Sequence, residues 1–96
     1  MGRRDLLDEA AIETALRDVA WTRDDYALAR TVKRATFGDA IALVNAIAEV
    51  AEEMDHHPDI DIRWRTVNLR VSTHSAGGLT ALDFEFARRV DALIGR

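Results

Sequence analysis

The chain has 96 residues, 48% hydrophobic and 31% charged, so residues 1–96 are expected to form one folded domain, near the small end for a self-sufficient core. A net charge of -4, with bases interleaved among acids, argues against binding along a phosphate backbone, and the lack of cysteine removes disulfides, thiol nucleophiles and thiolate metal sites. No run approaches about 18 apolar residues and none near the N-terminus has signal-peptide length, so the expected address is the cytoplasm, away from membrane and nucleic acid.

Ile12, Ala15, Leu16 and Val19 recur at the spacing that lines one helical face, with Asp8 placed to start the helix and Trp21 just past its end. Residues 22–37 lose that period. Thr31, Val32, Thr36 and Phe37, with a turn signal at Asp24-Asp25, predict two short strands joined near Asp25. From Gly38 to Met54 the helical pattern returns, with Ala40, Leu43, Val44, Ile47, Val50, Ala51 and Met54 as a continuous apolar stripe. The single proline, Pro58, ends it, because the residue before a proline is pushed out of the α region. His56 and His57 are therefore expected where a helix gives way to an extended segment.

Ile60, Ile62 and Trp64 alternate with Asp59, Asp61, Arg63 and Arg65; Val67, Leu69, Val71 and Thr73 alternate with Asn68, Arg70, Ser72 and His74. Two runs of period two predict an antiparallel hairpin that turns near Arg65-Thr66 and carries His74 on its polar face, at the strand's end. After the loop Ser75-Ala76-Gly77-Gly78, Thr80 and Asp83 make a helix start, and Phe86, Ala87, Val90, Leu93 and Ile94 supply the inward face of the helix that follows. The order α-β-β-α-β-β-α predicts an α+β domain, three helices against a four-stranded antiparallel sheet.

All three histidines fall in two short stretches, His56-His57-Pro58 and Thr73-His74. Imidazole, with an ordinary pKa of roughly 6.5, both gives and accepts protons near neutrality, so the cluster points to acid/base work. A histidine at a helix C-terminus also gains from the helix dipole with no function at all. Three histidines and a water would suit zinc, but adjacent side chains of an extended segment diverge, and the His-Glu-x-x-His spacing is missing. Glu52 and Asp55 stand where they would orient an imidazole or bind a donor on a ligand, or simply flank a helix. Trp21 and Trp64 suit either a core or a flat wall for a planar heterocycle. Spacing alone leaves these readings open.

The segment Glu52-Glu53-Met54-Asp55-His56-His57-Pro58-Asp59-Ile60, followed by Val71-Ser72-Thr73-His74 and Ala76-Gly77-Gly78-Leu79-Thr80 with Asp83, resembles the pterin-4a-carbinolamine dehydratase family. Trp21, Phe37 and the run Ala40 to Asn45 extend the resemblance over nearly the whole chain. It implies three helices on one face of a four-stranded antiparallel sheet, a homodimer or homotetramer, and removal of water from a 4a-hydroxytetrahydropterin to give quinonoid dihydropterin, in recycling the cofactor of aromatic amino-acid hydroxylases. No metal or nucleotide need take part.

By the same resemblance His56, His57 and His74 are the catalytic set and Glu52 and Asp55 are supporting acids. Pro58, Thr73, Ser75 and Ala76 line the pterin, and Asp83 and Trp21 join the substrate-binding residues. Ser75 departs from the acid usual after Thr-His, Leu82 from an arginine in some members, and Trp64 from the more usual tyrosine. Some relatives are binding modules, one stabilising a transcription-factor dimer and others assisting assembly of a carboxylating enzyme, which makes a non-catalytic binding or assembly role the alternative.

Overall fold

The computed structural model describes residues 2–95. Helix α1 (Glu9–Leu16) starts as predicted, with the Asp8 carboxylate accepting the Ala11 N–H at 2.8 Å. It stops earlier than the expected Val19. Arg17 and Asp18 donate three residues back, to Thr14 and Ala15, which tightens the last turn, and Val19 is buried from the following loop instead. Arg23 grips Glu9 with two hydrogen bonds, 2.6 and 3.0 Å, and holds that carboxyl below the usual range, first through the hydrogen bond and then through its charge. The clasp is exposed and worth little, so burial of Ile12 holds α1 in place.

Strands β1 (Thr22–Asp24) and β2 (Ala27–Lys33) form the predicted hairpin, turning at Asp25-Tyr26 with Asp25 at φ 61°. Phe37 is not part of a strand. It is the first residue of α2 (Phe37–Met54), behind the Thr36 cap, and it is exposed. The stripe Ala40, Leu43, Ile47, Val50 and Ala51 faces the core, as expected.

Strands β3 (Asp59–Arg63) and β4 (Thr66–Val71) make the second hairpin. Its turn falls at Trp64-Arg65, one residue earlier than predicted, because Arg63 pairs with Thr66. Trp64 is consequently not an inward strand residue. It stands 70% exposed at φ 54°, with the Arg65 guanidinium stacked 4.5 Å from its ring centre. All pairings are antiparallel, in the order β1-β2-β4-β3, so β4 is central and points Val67, Leu69 and Val71 into the core.

Helix α3 (Ala81–Ile94) begins with a Thr80/Asp83 capping box and buries Phe84, Phe86, Ala87 and Val90, whereas Leu93, expected inward, is 44% exposed. The three helices and four-stranded sheet follow the predicted order. At the centre, Phe86 meets Trp21 edge-on at 6.3 Å and His56 edge-on at 6.2 Å. A fully buried phenylalanine is worth roughly 1.5–3 kcal/mol, so this ring anchors the His56 end of α2 to α3. Among the described residues no helix is long and apolar enough to cross a membrane.

Candidate active site

The histidine pair is placed by the way α2 ends. Asp55 adopts the left-handed conformation at φ 50°, tolerable for a short polar side chain, and the chain doubles back as the Asp55 N–H bonds Glu52 O and the His56 N–H bonds Ala51 O at 3.0 Å. Pro58 then carries the chain into β3. This reversal buries His56, at 5% exposure, and turns His57 outward.

His74 arrives from the other side. β4 stops at Val71, short of the expected Thr73-His74, and residues 73–78 close a loop in which Ala76 and Gly77 donate to Thr73 O at 3.0 Å. Gly77 at φ 77° makes the reversal, and Thr73 pairs with Gly78 across it. His74 is exposed at the loop's edge, and its ring makes no hydrogen bond among the described residues.

These segments enclose a cleft of about 210 Å3 lined by Arg4, Asp55, His56, His57, Ser72, Thr73, His74 and Ser75. All three histidines and the Asp55, Thr73 and Ser75 of the expected set thus share one site. Glu52 supports it from outside, its Oε2 2.5 Å from His57 Nε2. Pro58 and Ala76 are half-buried next to lining residues. A larger groove of about 660 Å3 runs across α2 and α3, but it contains none of the histidines, so the chemistry selects the smaller cleft.

Asp83 is brought to the site, but beneath it. Its carboxylate is fully buried, with Oδ1 2.6 Å from His56 Nε2 and Oδ2 accepting from Thr73 Oγ1 at 2.8 Å and from the Thr80 N–H at 2.9 Å. A carboxylate only accepts, so His56 carries its hydrogen on Nε2, and the neutral ring's lone pair falls on Nδ1. The Thr73 hydrogen is committed to Asp83, so the Thr80 hydroxyl donates to Thr73 at 2.8 Å and itself accepts from Leu82 N–H at 3.2 Å. Asp83 is itself held by Thr73 Oγ1 and the Thr80 N–H, which fixes the His56 ring in one orientation and one tautomer.

Trp21 is not brought to the cleft. Its indole is buried and donates to Asp91 Oδ1 at 2.8 Å, in a separate network where Asp91 also holds Arg30 and the Ala20 N–H. Trp64 also lies outside the lining. Of the departures noted in sequence, Ser75 lies on the wall and Leu82 is buried at the α3 cap. Among the described residues no three His, Cys, Asp or Glu side chains are grouped to hold a metal ion, since the His56 and His57 rings are each directed at a separate carboxylate. Two lining residues carry no site role in the sequence analysis. Ser72 stands on the polar side of the strand alternation and within the resembling segment Val71-Ser72-Thr73-His74, and Arg4 lies 51 positions from Asp55, whose carbonyl it meets at 3.2 Å.

Residues 5–93 match the model of the family described as pterin 4 alpha carbinolamine dehydratase. A Nocardia farcinica protein named as a pterin-4-alpha-carbinolamine dehydratase is 54% identical over 90 residues, covering 93% of this chain and 95% of its own, and a Roseiflexus castenholzii protein of the same name is 49% identical over 93% and 97%. Among solved structures, a transcriptional coactivator/pterin dehydratase from Brucella melitensis superposes with a TM-score of 0.89 at 33% identity, covering 93% of this chain and 98% of its own. A pterin dehydratase-like protein described as a RuBisCO assembly factor in the alpha-carboxysome superposes at 0.65, with 26% identity over 80% of this chain and 89% of its own.

Proposed function

The chain belongs to the pterin 4 alpha carbinolamine dehydratase family, and on that premise we propose that its histidine cleft removes water from a 4a-hydroxytetrahydropterin by general acid/base catalysis, in recycling a tetrahydrobiopterin-type cofactor. Membership carries the reaction class, a hydro-lyase acting on a pterin carbinolamine. The finer reading rests on one observation: three imidazoles, two of them hydrogen-bonded to carboxylates, line a single small cleft.

The elimination needs two proton transfers. The N5–H proton goes to a base, its electron pair forms the C4a=N5 bond, the C4a–O bond breaks, and the departing hydroxyl takes a proton from an acid to leave as water. His57 and His74, exposed on facing sides of the cleft, are the proposed donor and acceptor. His56 is held by Asp83, which keeps its hydrogen on Nε2 and leaves Nδ1 as the neutral ring's acceptor. Glu52 keeps the His57 proton on Nε2.

The direct test is the dehydration rate of a 4a-hydroxytetrahydropterin with wild type, after subtraction of the spontaneous reaction. Clear acceleration is expected. None from well-folded protein would move the reading to the binding or assembly role, which the assembly-factor neighbour makes the second choice. We also propose a homodimer or homotetramer, supported by the exposed Tyr26, Phe37 and Trp64; light scattering is expected to give two or four times the 10.7 kDa chain mass.

A further inference from the structure

The N-terminal residues form a strap across the loop that leads into α3. Leu7 N–H donates to Leu79 O at 3.0 Å, Leu6 bridges Thr80, and Leu82 N–H donates to Arg3 O at 3.2 Å. Leu6 sits so close to Gly78 that a Cβ there would lie 3.0 Å from Leu6 Cδ2. A turn closed by Gly2 N–H on the Asp5 carboxylate, 2.7 Å, precedes the strap. The two arginines of this segment are treated differently. Arg3 is paired with Glu85 at 2.7 Å, outside the cleft. Arg4 lines the cleft, gives one N–H to the neutral Asp55 carbonyl, and has no carboxylate partner among the described residues.

A guanidinium has five donors in a planar fork that matches a carboxylate or phosphate. In Arg4 most of that fork is unused and its charge is unbalanced by an ion pair, at the edge of a protein whose net charge is -4. The cleft, at about 210 Å3, is smaller than the roughly 300–1,000 Å3 of sites that enclose drug-sized ligands, so a ring system engaged by the histidines leaves its substituent at the rim. We propose that Arg4 is a specificity-determining residue that makes the cleft bind pterins whose C6 substituent carries an anionic group more tightly than those with an uncharged one, the biopterin type included. This rests on the pterin reading above.

Fluorescence titration with 6-carboxypterin and 6-hydroxymethylpterin, which differ mainly in charge at that substituent, tests it. Wild type is expected to bind the carboxy compound about fivefold more tightly at low ionic strength, the upper range for an exposed charge pair, and added salt should narrow the gap. Arg4→Ala and Arg4→Gln should abolish the preference and Arg4→Lys keep part of it. Arg3→Ala, an equal change in net charge, should leave it intact. Equal Kd values in wild type, a preference that survives Arg4→Ala, or an equal loss in Arg3→Ala would overturn the proposal. If equal binding accompanies acceleration of a neutral 4a-hydroxypterin, only the role of Arg4 fails. If neither pterin binds and no acceleration is seen, the pterin reading falls with it.

Discussion

Asp83→Ala should destabilise the folded protein by about 3–5 kcal/mol, as expected when a buried acceptor shared by several donors is removed. The carboxylate is fully buried and accepts from three donors, His56 Nε2, Thr73 Oγ1 and the Thr80 N–H. Removing it leaves His56 Nε2 and the Thr80 N–H unpaired, at roughly 1–3 kcal/mol each and not additively, while the Thr73 hydroxyl keeps only its bond to Thr80 Oγ1. Against a total stability of about 5–15 kcal/mol for a small domain, this is a large share. Denaturant midpoints measure it, and a loss below about 1 kcal/mol would contradict the network's importance. Asp83→Asn separates stability from chemistry. It keeps the volume and one acceptor oxygen but brings an NH2 group among donors, so the His56 ring is expected to reorient or change tautomer and lose Nδ1 as an acceptor. Dehydration should therefore fall in Asp83→Asn under conditions where circular dichroism shows it folded; full activity would reduce Asp83 to a helix-capping residue.

What the sequence revealed and what it concealed divide by distance along the chain. Helix starts were legible because their caps are local: Asp8 meets Ala11 three residues on, and Thr80 and Asp83 signal each other at the same spacing. The end of α2 was legible through Pro58, and the reversal at Asp55 then delivers one histidine inward and one outward, a detail that depends on a left-handed backbone no residue pattern announced. Strand ends were less legible, because alternation continues past them: Trp64 keeps period two yet turns the chain, and Thr73 and His74 keep it inside a loop. Asp83 read convincingly as a cap, which it is, and this local role hid its contact with His56, 27 residues away. Arg4 had no pattern to betray it; only the strap's pairing with residues 79–82 brings it to Asp55. The histidines themselves were recognisable by resemblance, but not the order in which carboxylates hold them.

His57→Ala and His74→Ala are each expected to lower the acceleration by at least about tenfold, ~1.4 kcal/mol of transition-state stabilisation, with stability changed by no more than about 0.5 kcal/mol. Both side chains are exposed, and the His74 ring leaves no buried partner behind, so a rate loss would report chemistry and not unfolding. The double variant decides how they act. If one imidazole delivers the proton to the departing hydroxyl while the other takes the N5 proton in the same step, either single loss already disables the step, and the double should fall little below the worse single. Two independent contributions would instead multiply, to about a hundredfold. Glu52→Gln should cost less than His57→Ala, because it loosens the ring's orientation and leaves the imidazole in place. Undiminished rates in both histidine variants would exclude them from the proton transfers and leave His56, fixed by Asp83, as the remaining imidazole of the cleft.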